Sequence, residues 1–272
     1  MFRGSLPAGN HTLRFGGVTH VMGVINVSPE SKNPHTVAAT ADEALSLARR
    51  YREWGADVID VGGQSSHIDN PTIAAEEEIA RLQPVVEALV ADGFIVSVDT
   101  WKPEVAEATV EKGAAIVNDT GGLRSPEMQR VVGSSGVAAV AVHVDGAHPH
   151  DVDEVVLDDD KAGMIADGFA RLMRELEPDI VERLILDPGV AINYRGDYAA
   201  YTRLQLDVIR RTPDLAGLGR PLLVPIPRKR DIHWVTAYIT LALEYGADMI
   251  RVHDVPIAVE LTRLWGRRVA DG

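Results

Sequence analysis

The 272-residue sequence contains no cysteine and no hydrophobic run that approaches the length of a membrane span. The missing cysteines exclude disulfides, thiolate zinc sites, cysteine-ligated iron–sulfur clusters and a cysteine nucleophile. Residues 1–17 also lack the long apolar segment of an export signal. The lack of an export signal and of a membrane span predicts a cytoplasmic protein without a membrane partner.

Excess positive charge is missing as well, because 27 Lys and Arg face 40 Asp and Glu, a formal net charge of −13. Wide electrostatic binding to nucleic acid or to an anionic membrane is therefore not expected. Local basic groups remain able to hold a small anionic ligand. With 46% hydrophobic residues, the chain can bury a large core and is expected to fold.

The sequence does contain a regular alternation of short apolar runs and longer amphipathic segments. Residues 95–98 are typical, since this partly β-branched run ends at Asp99, and Pro103 then suits the first turn of a helix. Strands are predicted at 21–25, 57–61, 95–98, 115–117, 137–142, 183–186, 222–226 and 249–253. Helices are predicted at 41–54, 74–92, 105–112, 126–132, 161–176, 198–211, 232–245 and 257–269.

Eight strand–helix units predict an α/β protein with a single-domain (β/α)₈ TIM barrel. A doubly wound open sheet is the alternative. It is less favoured because eight strands are the number that closes a barrel, and because no glycine-rich nucleotide-binding motif follows the first strand. Residues 12–15 lie between glycines and predict a short N-terminal hairpin. We therefore assign residues 1–19 to a hairpin extension and residues 20–272 to the barrel.

Polar residues stand at the carboxyl ends of the predicted strands, which converge on one mouth in a barrel. They are Asn26, Asp60, Asp99, Asn118, His143, Asp187, Lys229, Arg251 and His253. Each alone could cap a turn, as we expect of Asp57 and Asp119, but burying nine without a ligand is costly. Carboxylates, an amide, a lysine and an arginine plane suit a flat polar heterocycle. The His and Asn side chains suit an anion or hydrated magnesium.

Several segments, in order and on successive predicted strands, resemble the dihydropteroate synthases. The segments are residues 22–29, 59–63, 97–100, 118–119, 186–189, 228–229 and 251–254. The resemblance extends from about residue 21 to residue 255. It implies a pterin-binding barrel that condenses 6-hydroxymethyl-7,8-dihydropterin pyrophosphate with p-aminobenzoate and releases pyrophosphate, usually with magnesium. It also implies a homodimer that pairs through the last two helices.

The resemblance also implies roles for individual residues. The pterin would be held by Asp60, Asp99, Asn118, Asp187, Lys229 and Arg251. The catalytic residues would be Asp99, Lys229 and Arg251. The pyrophosphate would be bound by Asn26, His67, Arg251 and His253, with Asn26 as the magnesium ligand.

The loops depart from the family pattern. His67 stands where the family has a pyrophosphate-binding arginine, and the segments 28–34, 190–194 and 227–230 differ from its usual loops. One explanation is a working synthase in which Lys32 or Arg230 supplies the missing charge. Others are a pterin-binding paralogue with a different second substrate, a methyltetrahydrofolate-type methyltransferase, or a pterin-binding protein without catalysis. Arg228-Lys229 and the Arg251–His253 segment favour the synthase.

Two further groups of residues suggest sites by residue type alone. The first looks like a metal cluster, but its irregular spacing and intervening Pro and Gly favour a solvated loop: His143, Asp145, His148, His150, Asp151 and Asp153. The second is the stripe Trp234, Tyr238 and Leu241, for which helix packing is expected rather than ligand binding.

Overall fold

The computed structural model describes residues 1–31, 33–152, 157–192, 194, 196–229 and 231–265. The chain begins with an antiparallel hairpin of β1 (Gly4–Ala8) and β2 (His11–Phe15). Parallel strands follow, at β3 (His20–Asn26), β4 (Val58–Gly62), β5 (Val96–Asp99), β6 (Ile116–Asp119), β7 (Ala138–Val142), β8 (Leu184–Asp187), β9 (Leu223–Pro225) and β10 (Met249–Val252). They lie where the sequence predicts them, with ends shifted by one or two residues.

The eight parallel strands form a closed barrel. Their order is β8-β7-β6-β5-β4-β3-β10-β9. The two ends of this order meet, because Leu186 of β8 pairs with Leu222 and its amide donates to the Pro221 carbonyl at 2.9 Å. The predicted (β/α)₈ barrel is confirmed, and the open doubly wound sheet is excluded.

The helices surround the barrel. Their bounds are α1 (Ala41–Trp54), α2 (Ala75–Ala91), α3 (Pro103–Val110), α4 (Pro126–Ser135), α5 (Lys161–Glu175), α6 (Pro178–Glu182), α7 (Tyr198–Arg210), α8 (Thr212–Ala216), α9 (Ile232–Glu244) and α10 (Val255–Trp265). The short helices α6 and α8 were not predicted, because five residues are too few to display a helical period. The predicted end of the last helix at residue 269 lies outside the described residues. Within those residues, no helix is long and apolar enough to cross a membrane.

Helix α1 shows how local sequence sets the bounds of an element. The Thr40 hydroxyl accepts from the Glu43 amide at 3.2 Å, and the Glu43 carboxylate accepts from the Thr40 amide at 3.2 Å. This capping box satisfies amides that the first helical turn leaves free. Gly55 ends the helix with φ of 117°, a conformation that glycine adopts without strain. Both ends match the prediction.

The β1–β2 hairpin covers the amino-terminal end of the barrel. Leu6 and Leu13 are 0% and 2% exposed, and they belong to a buried cluster with Met22, Ile116 and Met249 from the barrel strands. The hairpin therefore extends the barrel core at the end opposite to the carboxyl ends of the strands. The polar residues at those carboxyl ends form the site described next.

Candidate active site

Arg251 links two carboxylates at the carboxyl ends of neighbouring strands. Its Nε donates to Asp60 Oδ2 at 2.6 Å, and its Nη2 donates to Asp99 Oδ2 at 2.6 Å. The pairing of β4 with β3 and β5, and of β3 with β10, brings these residues to one edge of the barrel. A guanidinium can serve two carboxylates at once because its N–H groups form a rigid fork.

Asn118 and Asp187 extend this buried group, with exposures of 1% and 2%. Asn118 Nδ2 lies 3.4 Å from both carboxylate oxygens of Asp60. Its Oδ1 is buried, and nothing in the described part of the chain donates to it. Asp187 Oδ1 accepts from the Gly189 amide at 2.7 Å. A buried acceptor without a donor is costly, so Asn118 Oδ1 points to a ligand that donates.

The pKa values of Asp99 and Asp187 are raised. Burial raises the pKa of Asp99 to about 7, against the opposing effect of Arg251, with Asp60 adding to the rise. Burial likewise raises the pKa of Asp187 to about 7, with the Gly189 amide and Arg251 opposing the change. Burial alone would lower the pKa of Arg251, but Asp60 and Asp99 raise it above its ordinary value. The arginine therefore stays charged while two carboxyls titrate near neutral pH.

A cavity of about 800 Å³ opens at this edge of the barrel. The predicted site residues that line it are Asn26, His67, Asp99, Lys229, Arg251 and His253. Asp60 and Asn118 join this set through their contacts with Arg251 and with each other. Residues distant in sequence are thus brought together at one mouth, as the sequence predicts.

Lys229 lies in a polar and aromatic part of the cavity wall. Its Nζ is 3.1 Å from the Tyr198 hydroxyl and 3.2 Å from Gln205 Oε1. The same nitrogen lies 4.7 Å from the Tyr198 ring centroid and 4.9 Å from that of Tyr238. Arg228 also lines the cavity, and its residue is exposed. Two cations therefore adjoin the cavity on the β9 side.

His253 is a neutral donor on the β10 side. Burial lowers the pKa of His253 to about 3, and Arg251 adds to the decrease, so the ring is uncharged at neutral pH. Asn33 Nδ2 donates to His253 Nε2 at 3.1 Å, which leaves the proton on Nδ1. That Nδ1 is buried, and no acceptor for it occurs in the described chain. An anionic ligand oxygen would satisfy it.

Asn26 and His67 complete the rim predicted to bind pyrophosphate. Asn26 Nδ2 donates to Thr36 Oγ1 at 2.7 Å, so its Oδ1 is the atom available to a cation. His67 Nδ1 accepts from the Asp69 amide at 3.2 Å and lies 3.5 Å from Asp69 Oδ2. Lys32 and Arg230, named above as replacements for the missing charge, lie outside the described residues.

Two strand-end carboxylates are structural, as predicted. Asp57 Oδ2 accepts from the Val21 amide at 2.8 Å. Asp119 accepts from the amides of Gly121 and Leu123 at 2.7 and 2.8 Å. Both carboxylates therefore satisfy backbone amides, Asp57 that of a residue in β3 and Asp119 those of the segment after β6.

The sequence reasoning missed several residues that line the cavity. They are Tyr194, Tyr198, Tyr201, Gln205 and Trp234. The packing role expected for Trp234 is wrong, because its residue is 53% exposed on the cavity rim, whereas Tyr238 is fully buried as expected. The sequence feature that could have identified three of them is their spacing, because residues 198, 201 and 205 lie on one face of α7, the helix that follows β8.

The histidine-rich segment after β7 is docked rather than solvated, so that expectation is wrong. The rings of His148 and His150 each pack on Trp101 with centroids 5.2 Å apart, and His150 Nε2 lies 2.9 Å from the Ser65 carbonyl. His143 Nε2 is 3.2 Å from Asp145 Oδ1. The described residues form no group of three or more metal-binding side chains, and Asp153 lies outside them.

Known proteins are similar to this chain in sequence and in fold. A family model for pterin binding enzymes matches residues 22–253. The dihydropteroate synthase of Escherichia coli (strain K12) is 33% identical over 256 residues, 90% of each chain. A probable bifunctional folylpolyglutamate synthase/dihydropteroate synthase of Haloferax volcanii is 33% identical over 267 residues, and the match covers 92% of this chain but 30% of that protein.

The structural similarity is equally extensive. The crystal structure of Burkholderia cenocepacia dihydropteroate synthase complexed with 7,8-dihydropteroate superposes with a TM-score of 0.82 at 28% identity, covering 97% of this chain and 96% of that one. The family match spans the barrel from β3 to β10 and includes the strand-end residues described above. The chain therefore belongs to the family of pterin binding enzymes.

Proposed function

We propose that this protein is a dihydropteroate synthase-like transferase. It would join 6-hydroxymethyl-7,8-dihydropterin pyrophosphate to p-aminobenzoate and release pyrophosphate. The observation that carries the proposal is the buried group of Asp60, Asp99, Asn118 and Arg251, which opens on a cavity that Lys229 also lines, in a chain of the pterin-binding family. The relatives named above as dihydropteroate synthases support the choice of reaction.

The buried polar groups match the edge of a pterin ring. The Asp187 carboxylate would accept two adjacent N–H groups, and the unpartnered Asn118 Oδ1 would accept another. Lys229 would donate to the ring carbonyl. Arg251, held by Asp60 and Asp99, would cover the ring face without swinging away. This arrangement would fix the ring in the cavity floor in one orientation.

The reaction requires positioning and charge stabilisation more than a nucleophile from the protein. The bond between the pterin methylene carbon and the pyrophosphate oxygen breaks, and its electron pair leaves with pyrophosphate. The amine nitrogen of p-aminobenzoate then forms the new C–N bond and loses one proton. Asp99 would stabilise positive charge on the pterin, while His253 Nδ1 and Arg251 would face the departing anion.

Magnesium fits this mouth through one protein ligand. Asn26 Oδ1 is an oxygen donor of the kind magnesium prefers, and its amide nitrogen is already engaged by Thr36. The remaining ligands would be water and phosphate oxygens, as is usual for magnesium bound with a phosphorylated substrate. When bound, the ion would neutralise charge on the pyrophosphate.

A second candidate function is transfer of the pterin to a different amine. It is favoured by His67 at the position of the family arginine and by the aromatic side chains of Tyr194, Tyr198 and Trp234 on the cavity wall. Methyl transfer from methyltetrahydrofolate has less support, because Lys229 and the Arg251–His253 pair match the synthases. Pairing of two copies through α9 and α10 and a cytoplasmic location remain predictions.

One experiment separates these functions. The purified protein is given 6-hydroxymethyl-7,8-dihydropterin pyrophosphate with p-aminobenzoate, and 7,8-dihydropteroate and pyrophosphate are measured. A second reaction contains methyltetrahydrofolate and a corrinoid acceptor. Formation of dihydropteroate and pyrophosphate in equal amounts supports the synthase. Pterin binding by calorimetry without either product contradicts it and fits transfer to another amine or pterin binding without catalysis.

A further inference from the structure

The Gln205 side chain joins two parts of the cavity wall. Gln205 lies on α7 and is 3% exposed. Its Nε2 donates to the Val190 carbonyl at 2.5 Å. Its Oε1 accepts from Lys229 Nζ at 3.2 Å and from the Tyr238 hydroxyl at 2.9 Å. Both ends of one buried amide are thus engaged, one by the segment after β8 and the other by the Lys229 ammonium.

The segment after β8 is anchored to α7 by a second donor. The Tyr201 hydroxyl donates to the Ile192 carbonyl at 2.7 Å. Tyr201 and Gln205 are four residues apart, so both side chains extend from one face of α7. Of the two, it is Gln205 that accepts a hydrogen bond from Lys229. Tyr201→Phe can therefore loosen the segment while leaving the contact between Gln205 and Lys229 intact.

The other polar partner of Lys229 gives it weaker support. Tyr198 is 69% exposed, so water competes for its hydroxyl. Gln205 Oε1 is buried, and a hydrogen bond from a charged donor to a buried acceptor is both stronger and more directional. The position of the ammonium therefore depends mainly on Gln205.

We propose that Gln205 is a positioning residue that couples the Lys229 ammonium to the cavity wall formed by residues 190–192. The inference rests on the proposed function, in which Lys229 holds the pterin carbonyl. Gln205 keeps the ammonium directed at the pterin, and the same amide sets the wall against which the amine substrate lies. A change at Gln205 therefore affects both substrates, but through different atoms of its side chain.

Two substitutions at Gln205 and one at Tyr201 separate these atoms. Gln205→Met has similar length and removes both hydrogen-bonding ends. Gln205→Glu keeps an oxygen for Lys229 and Tyr238 but places a carboxylate against the Val190 carbonyl. Tyr201→Phe removes a donor to the wall and leaves Gln205 in place. Steady-state constants are measured for the pterin pyrophosphate and for p-aminobenzoate, together with the melting temperature of each variant.

We expect Gln205→Met to lower kcat/KM for the pterin pyrophosphate by about 10- to 100-fold, the usual effect of losing a hydrogen bond to a charged group. We expect Gln205→Glu to recover most of that loss while KM for p-aminobenzoate stays raised. Tyr201→Phe should raise only the p-aminobenzoate KM. Equal changes in the steady-state constants for both substrates, in proportion to the change in melting temperature, would mean that Gln205 is merely structural. That result would overturn the inference.

A measurement made without substrate tests the role of Gln205 independently of the proposed function. The ¹⁵N resonance of the Lys229 ammonium is recorded by NMR and assigned with Lys229→Met. We expect the resonance to shift in Gln205→Met and to stay close to its wild-type position in Gln205→Glu. Wild-type protein that makes no dihydropteroate would contradict the proposed function alone. A resonance unchanged in Gln205→Met would contradict the role of Gln205 whether or not the protein turns over.

Discussion

The floor of the cavity and its rim are built differently. The floor consists of strand-end side chains that bond to one another, as Arg251 does to Asp60 and Asp99, and the side chains of these three residues are at most 18% exposed. The rim consists of loops and helix starts, with exposed side chains such as Tyr198 and Trp234. Because the closed barrel fixes the floor, few substitutions there would leave the site intact. Substitutions in the rim can be tolerated, and they can change which second substrate is bound.

The largest effect is expected from a substitution of Arg251 in the floor. In Arg251→Met, two buried carboxylates lose their cation, and we expect a loss of about 3–5 kcal/mol in the free energy of unfolding together with loss of activity. Denaturant unfolding at neutral pH measures the change. The matched control is Arg130→Met, which breaks an exposed ion pair with Glu107, whose side chains are 62% and 50% exposed; about 0–1 kcal/mol is expected there. Similar losses in both variants would contradict the role given to Arg251.

Asp187 tests the floor without changing its packing. In Asp187→Asn, the amide can still accept from Gly189 but cannot accept both N–H groups of the pterin edge. We expect pterin affinity to fall by several kcal/mol, until binding is lost in a calorimetric titration. Asp57→Asn is a control on another strand-end carboxylate, one that holds the Val21 amide. Unchanged affinity in Asp187→Asn would remove this carboxylate from the site.

The pH dependence of pterin binding tests the electrostatics of the floor. The pKa of Asp187 is about 7 in the free protein, and the pterin edge requires the ionised carboxylate. A proton must therefore leave before the ligand binds, so affinity should rise with pH and level off above about pH 8. Below pH 7, the affinity should fall by up to about tenfold per pH unit. Calorimetry across this range would contradict the assignment if the affinity were constant or fell with pH.

The smallest effect is expected at the rim. His67→Arg replaces an imidazole with a permanent bidentate cation. We expect an affinity gain of about tenfold for the pterin pyrophosphate and none for the pterin alcohol, which carries no anion. Titration with both compounds measures the difference. Equal gains for the two compounds, or no gain for either, would mean that residue 67 does not face the anion.

Much of the floor was predictable from the sequence because barrel strands can be recognised as apolar runs that end in polar residues. Asp60, Asp99 and Arg251 could be placed at one mouth once the number of strands was known. The pairing among them could not be predicted, because the contact between Arg251 and Asp60 depends on β10, the last strand, lying beside β3, the first barrel strand. Hydrogen bonds between residues distant in sequence follow from tertiary geometry and leave no local pattern.

The rim was less predictable for a physical reason. The loops have no periodic pattern of hydrophobic residues from which their path could be predicted. The packing of His148 and His150 on Trp101 could therefore not be inferred. Gln205 was overlooked because a glutamine within an amphipathic helix looks like an ordinary surface residue. Its 3% exposure and its contact with Lys229, which the structure shows, distinguish it.

The hairpin at the opposite end of the barrel has a consequence for the order of events. Among the described residues, Leu6 and Leu13 fill that end, so the substrates and products of the proposed reaction would enter and leave at the carboxyl ends of the barrel strands. In the proposed reaction the pterin would occupy the deeper position, so it would have to enter before the amine. An amine that arrived early would obstruct the pterin, and high amine concentrations should therefore slow turnover.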